Sequence, residues 1–361
     1  MRIGIVGAGQ LGRMMALAGI PLGIEFTMYD THADVPGAAV ADIVTGRFDD
    51  LKKLARFAKG VDVVTFDWEN VPVASARAIA RLRPVWPPPR ALEVAQDRLS
   101  EKRIFRRFGI PVAPFAAVDS GADLARAIEA LGAPGILKTR RLGYDGKGQA
   151  RIRRGRDAAE AFERLGGRPL IYERFVNFTR EVSLVAVRDR AGRVECYPLV
   201  ENEHANGILA VTRAPYVDAR LQRAAERNHR RLFSALGYAG VLCVEYFVER
   251  GRLVANEMAP RVHNSGHWTI EGAETSQFEN HVRAIAGLPL GGTEPRGHAV
   301  MVNVIGTKPR AREVLRLPGL HWHDYGKDPR PGRKLGHVTC ITGSRAARER
   351  VARQLRRRLI P

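Results

Sequence analysis

The stretch AGVLCVEYFVERGRLVANEMAPRVHNSGHW, residues 239–268, decides how the C-terminal part of the chain folds. Cys243 to Val248 alternates as a β-strand does, Arg250-Gly251 supplies a turn, and Leu253 to Met258 returns as a second strand. The hairpin, and the similar patterns that begin at about Glu181, predict an antiparallel sheet with helices. Two of these helices are predicted at Ala219 to Leu236 and Gln277 to Ala286.

The hairpin also predicts a metal site, because its turn brings Glu245 close to Asn256 and Glu257. Carboxylates held together repel each other unless a cation lies between them. Oxygen ligands on rigid strands suit Mg²⁺ or Mn²⁺ that is shared with nucleotide phosphates, so Glu245 and Glu257 are the predicted metal ligands. The alternative is a surface hairpin whose acidic side chains face water. A polar loop follows the hairpin and contains Arg261, His263, Asn264, Ser265 and His267.

The N-terminal segment alternates strands and helices, which is typical of a parallel sheet flanked by helices. Arg2 to Gly7, Glu25 to Tyr29 and Val61 to Phe66 are predicted strands. Residues 7–12, GAGQLG, match the dinucleotide fingerprint, and Asp30 lies at about the expected distance downstream. Glycines there let backbone amides approach a phosphate. The motif predicts phosphate binding and leaves a nicotinamide-dependent oxidoreductase open as an alternative.

A second segment follows the rigid run Pro84 to Pro89 and one helix predicted from about Ala91 to Phe108. Lys138 closes an apolar strand just before a glycine-rich loop, Gly143 to Gln149. A lysine in that place can hold nucleotide phosphates while loop amides close over them. The pattern GxxxxGK[ST] is missing, so a P-loop is not predicted. A solvated lysine and a plain surface turn are the alternatives.

The composition is that of a folded protein with two or three domains. The 361 residues are many for one core, and 45% of them are hydrophobic. No run approaches the roughly 18 apolar residues that cross a bilayer, and glycines interrupt any N-terminal signal peptide. A cytoplasmic protein without a membrane partner is therefore expected. Cys196, Cys243 and Cys340 are far apart in the sequence and are predicted to be buried small hydrophobes.

The net charge of +20, from 58 Lys and Arg against 38 Asp and Glu, raises a nucleic-acid hypothesis. The basic residues are spread along the chain, however, and no recognised nucleic-acid module accompanies them. A positive field also favours small phosphorylated substrates, so no nucleic-acid partner is expected. The Arg-rich run from Arg345 to Arg358 predicts an amphipathic surface helix.

Taken in order, these segments resemble the ATP-grasp superfamily and, within it, the family of 5-(carboxyamino)imidazole ribonucleotide synthases. The resemblance spans nearly the whole chain, and HNSGHWT and GRKLGHVT are its most specific parts. The matching segments are GAGQLGRM at 7–14, TFDWENVP at 65–72, DRLSEKRIF at 97–105, GYDGKGQ at 143–149, ERFVNFTREVSLV at 173–185, NEMAPRVHNSGHWT at 256–269 and YGKDPRPGRKLGHVT at 325–339.

The resemblance implies an α/β protein of the ATP-grasp fold with three domains. These are a Rossmann-like domain at 1–99, a small α+β lid at 100–173 and an antiparallel-sheet domain at 174–361. It implies a homodimeric ligase that uses ATP, Mg²⁺ and bicarbonate to carboxylate the exocyclic amine of 5-aminoimidazole ribonucleotide in purine (IMP) biosynthesis. The runner-up is another ATP-grasp ligase that joins a different acid and amine.

The resemblance also implies roles for individual residues. The implied ATP-binding residues are Arg98, Lys138, Gly143, Tyr144, Asp145, Gly146, Lys147, Gly148, Gln149, Glu173, Arg174, Phe175, Val176, Glu181, His204, Asn256 and Glu257. The implied ribonucleotide-binding residues are Gly9, Gln10, Leu11, Asn264, Ser265, Arg333 and Lys334. The candidate catalytic residues are Tyr144, Asp145, Arg261, His263 and Lys334.

Overall fold

The computed structural model describes residues 1–143, 146–166 and 169–360. Within these ranges no helix is both long and apolar enough to cross a membrane. The strands form three sheets, one parallel and two antiparallel. The mixed α/β character predicted from the sequence is confirmed.

The N-terminal sheet is parallel and has the strand order β3-β2-β1-β4. The third strand was not predicted, because it is short and only half buried. The strands are β1 (Arg2–Val6), β2 (Glu25–Asp30), β3 (Asp42–Thr45) and β4 (Val63–Phe66), and the helices are α1 (Gln10–Gly19), α2 (Leu51–Lys59) and α3 (Val73–Ala80).

The single helix predicted from about Ala91 to Phe108 is wrong, because the segment forms two helices, α4 (Pro89–Ala95) and α5 (Arg98–Arg107). Asp97 causes the break. Its carboxylate accepts hydrogen bonds from the amides of Leu99 and Ser100, each at 3.0 Å, and so caps a new helix. The second helix, α5, therefore begins at Arg98 and packs against the large C-terminal sheet.

The second sheet is small and antiparallel, with the strand order β5-β8-β6-β7. Lys138 lies on β6 and Glu173 on the adjacent β8. The strands are β5 (Phe115–Val118), β6 (Gly135–Thr139), β7 (Gln149–Ile152) and β8 (Leu170–Arg174), and the helices are α6 (Gly121–Leu131) and α7 (Ala158–Arg164).

The third sheet has nine strands and contains the acidic hairpin at one edge, where β14 pairs with β13. Its strands are β9 (Arg180–Arg188), β10 (Val194–Cys196), β11 (Val200–Ala205), β12 (Ile208–Ala214), β13 (Gly240–Glu249), β14 (Arg252–Ala259), β15 (His298–Ile305), β16 (Leu320–Asp324) and β17 (Lys334–Thr342). Its helices are α8 (Ala219–Leu236), α9 (Thr269–Gly272), α10 (Gln277–Ala286), α11 (Ala311–Val314) and α12 (Arg345–Leu359). The bounds predicted for α8 and α10 are confirmed, and so is the Arg-rich terminal helix.

The first and third sheets share one hydrophobic core. Met15 of α1 is buried in the same cluster as Trp268 and Phe278 of the C-terminal part. A buried hydrogen bond of 2.8 Å also joins Thr65 Oγ1 on β4 to His281 Nε2 on α10. Thr65 and His281 are both buried. The N-terminal sheet and the C-terminal sheet therefore form one continuous platform beside the small second sheet.

The three cysteines are unpaired, and two of them match the prediction of buried small side chains. Cys243 and Cys340 are buried, whereas Cys196 is half-buried.

Candidate active site

One large cavity, of about 1130 Å³, is lined by residues from all three sheets. A concave site with converging polar groups is the usual form of a small-molecule site. The predicted residues that line it are Gln10, Leu11, Arg98, Lys138, Gly143, Gly146, Lys147, Gln149, Glu173, Arg174, Phe175, Val176, Glu181, His204, Glu245, Asn256, Glu257, Arg261, His263, Asn264, Arg333 and Lys334.

Three predicted residues do not line this cavity. Gly9 faces the Asp67 carboxylate, and Gly148 lies against Thr139, where its carbonyl accepts the Thr139 amide. Ser265 is fully buried behind the wall, and its hydroxyl bonds to Ser183 at 2.7 Å. Ser265 therefore supports the wall from behind. The predicted residues Tyr144 and Asp145 lie outside the described part of the chain.

The acidic hairpin places Glu245 directly opposite Glu257. The register shifts beside this pair, so that Asn256 forms a bulge with no residue opposite it. The Asn256 Oδ1 atom is buried and has no hydrogen-bond partner among the described residues. Two carboxylates and an unpartnered amide oxygen fit a hard divalent cation.

Glu245 is linked to His263, whose Nε2 atom lies 3.1 Å from Glu245 Oε1. Burial alone would raise the pKa of Glu245, but the His263 hydrogen bond and the nearby positive charges lower it to about 2. The pKa of His263 is raised: burial opposes its charge, while the Cys243 sulfur and the Glu245 carboxylate favour it. The pair is therefore ionised near neutral pH.

His204 and Glu181 form a second pair beside the hairpin, through His204 Nδ1 and Glu181 Oε2. The other ring nitrogen of His204 lies 3.9 Å from Glu245 Oε2. Burial lowers the pKa of His204, but the bond to Glu181 and the charge of Glu245 outweigh it and raise the pKa. Both residues belong to the set predicted for ATP, and the structure brings them together.

Lys138 and Glu173 form a buried ion pair on neighbouring strands, 3.1 Å apart. Lys102 of α5, which the sequence reasoning did not single out, contacts the same Glu173 oxygen at 3.2 Å. Burial would raise the pKa of Glu173, but the two lysines hold it at about 2. The signal for Lys102 was present in DRLSEKR, because Lys102 follows Arg98 by four positions and shares its helix face.

Arg98 connects the hairpin to the glycine-rich loop. Its Nη1 atom lies 2.8 Å from Glu257 Oε2, and its Nη2 atom donates to the carbonyl of Gly143 at 3.2 Å. Burial lowers the pKa of the guanidinium, but the charge of Glu257 outweighs this and raises it. Arg98 therefore stays a permanent cation at the cavity wall.

The N-terminal glycine loop is occupied partly by the protein's own carboxylates. Asp30 Oδ2 accepts the amide of Ala8 at 2.7 Å, and Asp67 Oδ2 accepts the amide of Gly12 at 2.9 Å. In a dinucleotide site such amides would face a pyrophosphate. The two carboxyl groups already occupy the amides of Ala8 and Gly12, so the oxidoreductase alternative is disfavoured.

A basic loop, residues 325–334, closes the other end of the cavity. Lys327 and Arg330, which the sequence reasoning passed over, line the cavity together with Arg333 and Lys334. Lys327 Nζ bonds to the side-chain oxygen of Gln10 and so connects the loop to the glycine turn. The sequence feature that could have identified Lys327 and Arg330 is the density of basic residues in a segment that contains Gly and Pro. Four cations in this loop favour a phosphorylated ligand at this end.

Three family models match successive parts of the chain. Residues 1–96 match the ribonucleotide synthetase preATP-grasp domain, and residues 103–278 match the ATP-grasp domain. Residues 299–351 match the phosphoribosylaminoimidazole carboxylase C-terminal domain. The second model spans the small sheet and strands β9 to β14 of the third sheet, and the last model covers the remaining strands of the third sheet.

The chain is also similar to whole proteins. It is 49% identical, over 96% of each chain, to the N5-carboxyaminoimidazole ribonucleotide synthase of Pseudomonas aeruginosa. The N5-carboxyaminoimidazole ribonucleotide synthetase structure from Thermus thermophilus superposes with a TM-score of 0.96 at 52% identity, covering 99% of both chains. An Aspergillus clavatus synthase, solved with ADP and 5-aminoimidazole ribonucleotide, superposes with a TM-score of 0.92 at 31% identity, covering 98% of this chain and 97% of that one.

Proposed function

Because the chain belongs to the N5-carboxyaminoimidazole ribonucleotide synthases of the ATP-grasp superfamily, we propose that it carboxylates 5-aminoimidazole ribonucleotide. The reaction uses ATP and bicarbonate and gives 5-(carboxyamino)imidazole ribonucleotide, ADP and phosphate. It is a step of purine (IMP) biosynthesis. The observation that carries the proposal is a single cavity with an acidic hairpin and lysines at one end and a basic loop at the other.

ATP occupies the end of the cavity between the small sheet and the acidic hairpin. Lys138 and Arg98 bind its phosphates, supported by their burial at the wall. The segment Glu173 to Val176 holds the base, and Glu181 with His204 holds the ribose hydroxyls. Glu173 Oε1 is buried without a hydrogen-bond partner among the described residues, which suits the exocyclic amine of adenine.

Magnesium is held by Glu245 and Glu257, with the Asn256 amide oxygen alongside. Among the described residues no group of three His, Cys, Asp or Glu side chains forms a metal cage. Mg²⁺ takes one or two carboxylates and completes its shell with phosphates and water, which suits the two glutamates of the hairpin. When bound, the ion neutralises charge on the phosphoryl oxygens of ATP.

The first step joins bicarbonate to phosphate. A bicarbonate oxygen attacks the γ-phosphorus, the bond to ADP breaks, and ADP leaves with its electron pair. Lys138 and Arg98 balance the negative charge that spreads over the phosphoryl oxygens. Arg261, His263 and Lys334 hold the carboxylate of the bicarbonate. The 3.1 Å contact of His263 with Glu245 supports this placement, because it keeps the side chain proposed to hold bicarbonate next to a proposed metal ligand.

In the second step the amine of the ribonucleotide attacks the carbon of carboxyphosphate, or of carbon dioxide released from it. The carbon–oxygen bond to phosphate breaks, phosphate leaves, and the nitrogen loses a proton. Tyr144 and Asp145 orient or deprotonate this amine. Carboxyphosphate hydrolyses in bulk water, so the loop Gly143 to Gln149 must exclude solvent while it exists.

The ribonucleotide lies at the basic end. Gly9 to Leu11, Asn264 and Ser265 shape its site, and Arg333 with Lys334 binds its phosphate. Lys327 and Arg330 join this set, supported by their position on the cavity wall. A phosphate among four cations gains several charge-assisted hydrogen bonds.

The wider organisation follows the same resemblance. Residues 1–99 bind the ribonucleotide, 100–173 form the lid and 174–361 carry the metal and ATP site.

The protein is a cytoplasmic homodimer. Leu17 of α1 and Ile20, the residue that follows this helix, are each 49% exposed and support a covered surface. Light scattering of the purified protein at several concentrations tests the dimer, and a monomer throughout would contradict it.

An ADP-release assay on the purified protein tests the function. ADP is expected only when bicarbonate and 5-aminoimidazole ribonucleotide are both present with Mg²⁺ and ATP. Formate or an amino acid should not replace bicarbonate. ADP release with another acid or amine, and not with the ribonucleotide, would assign the chain to a different ATP-grasp ligase.

A further inference from the structure

Lys102 lies outside the set of residues assigned above to ATP, metal or ribonucleotide. Only 1% of it is exposed, although its side chain ends in an ammonium group. Its ammonium group donates to the carbonyl oxygens of Asn256 at 2.7 Å and Ala255 at 3.3 Å. It also lies 3.2 Å from Glu173 Oε2. Two carbonyl hydrogen bonds and the ion pair with the Glu173 carboxylate therefore compensate the burial of its ammonium group.

Glu173 Oε2 is shared, because Lys138 lies 3.1 Å from the same oxygen. A buried carboxylate and a single lysine form a neutral pair. Two lysines on one carboxylate leave one positive charge over. That charge is what a nucleotide phosphate requires from this wall of the cavity.

We propose that Lys102 is a positioning residue that neutralises Glu173, so that Lys138 is left to bind the phosphates of ATP. The inference rests on the ATP binding proposed above. Without Lys102, Glu173 and Lys138 form a closed pair, and a phosphate has to break it before it can bind. When one partner of a buried charge network is removed, the charge that remains is buried without compensation, and this is energetically unfavourable.

The groups of this arrangement come from two parts of the fold that pack separately. Arg98 and Lys102 lie four residues apart on α5, so one helix face presents both cations. Lys138 and Glu173 lie on the small sheet, which packs separately from the shared core of the other two sheets. Lys102 therefore supplies a counter-charge to the small sheet from α5, which packs against β14 of the third sheet.

Lys102 also holds the edge of the metal hairpin through its two carbonyl contacts, and this structural role must be separated from the electrostatic one. A double-mutant cycle does so. The proteins are wild type, Lys102→Met, Glu173→Gln and the double variant, and the measurement is ADP affinity with Mg²⁺ by calorimetry. Glu173→Gln removes the carboxylate charge that Lys102 is proposed to neutralise and leaves the carbonyl contacts unchanged.

Lys102→Met is expected to weaken ADP binding roughly thirtyfold or more in the wild-type background, since Glu173 then sequesters Lys138. In the Glu173→Gln background the same change is expected to alter affinity by no more than about threefold. Equal losses in both backgrounds would overturn the proposal, because Lys102 would then act through the hairpin alone. If wild type itself binds no ADP, the proposed function fails instead.

Steady-state kinetics give an independent readout. Lys102→Met should raise the KM for ATP and leave the KM for 5-aminoimidazole ribonucleotide unchanged, and a parallel rise of both would contradict the proposal. Should Lys102→Met fail to fold, the double variant is compared with Glu173→Gln alone. A difference in ADP affinity above about threefold would then overturn it.

Discussion

Glu245 Oε1 lies 3.1 Å from His263 Nε2, so a predicted metal ligand and a predicted catalytic side chain share one hydrogen bond. Glu245 lies on β13, which pairs with β9 and β14, whereas His263 lies on the loop that follows the hairpin. The bond therefore fixes the loop relative to the metal end of the cavity. It also keeps the histidine charged, which suits a residue that holds a carboxylate.

We expect His263→Asn to lower kcat by roughly a hundredfold or more, because the carboxylate of bicarbonate loses a charged donor. ADP affinity should change little, since His263 is assigned to the acceptor end. Single-turnover ADP release and ADP calorimetry measure the two effects. His321→Asn, an exposed histidine on β16, is the control. A full loss of ADP binding in His263→Asn would place the residue in the nucleotide site.

Glu257→Gln should abolish ADP release that depends on the ribonucleotide and leave the fold intact. The substitution removes one carboxylate of the metal pair and the ionic partner of Arg98. Loss of a group that acts on transferring phosphate costs roughly two to three orders of magnitude in rate. Glu249→Gln on the same hairpin is the matched control. Unchanged ADP release by Glu257→Gln would remove Glu257 from the metal site.

The elements with strong periodicity were predictable from the sequence, and the acidic hairpin is the best case. Its alternation, its Arg-Gly turn and its facing glutamates are all local signals, and the structure pairs Glu245 with Glu257. The two-helix break at Asp97 was missed because a capping aspartate competes with a helical pattern that continues on both sides. An aspartate inside a continuing helical pattern is identified as a cap only when the amides that donate hydrogen bonds to it are known.

Long-range partners were less predictable. The place of Lys102 depends on contacts with Asn256, 154 positions away. Gln10 and Lys327 are separated by 317 positions and meet only because the first and third sheets share a core. A local pattern can mark such residues but does not give their partners, since these lie in distant segments of the chain.

Lys327→Ala should raise the KM for 5-aminoimidazole ribonucleotide roughly tenfold or more and leave the KM for ATP unchanged. Lys327 lies at the basic end of the cavity and bonds to Gln10, far along the chain from the lysines of the ATP end. The increase in KM should shrink as salt rises, because screening weakens the lost attraction. Lys308→Ala, which removes a surface pair with Asp324, is the control. Equal changes in both KM values would place Lys327 outside the ribonucleotide site.

Glu101 gives a prediction for stability as a function of pH. It is buried on α5, and its Oε1 atom accepts the amide of Met258 at 2.6 Å. Burial and the charge of Glu257 raise its pKa from 4.5 to about 8, although Lys102, the Met258 amide and Arg98 oppose the rise. Between these values the folded protein holds a proton that the unfolded chain has released. This residue therefore lowers stability progressively as pH rises from 4.5 to about 8, with no further change above.

Glu101→Gln keeps the oxygen that accepts the Met258 amide but cannot ionise, so it lacks this pH-dependent penalty. At pH 5 the variant and wild type should melt at similar temperatures, because the wild-type carboxyl is protonated in the fold. As pH rises toward about 8 the variant should become increasingly more stable than wild type, by several degrees, and the gap should then level off. Thermal denaturation across this pH range measures the gap. Glu129→Gln on the exposed side of α6 should show none. A gap that stays constant with pH would mean that Glu101 titrates in the fold as it does in the unfolded chain, and that the contacts around it on β14 do not hold its proton.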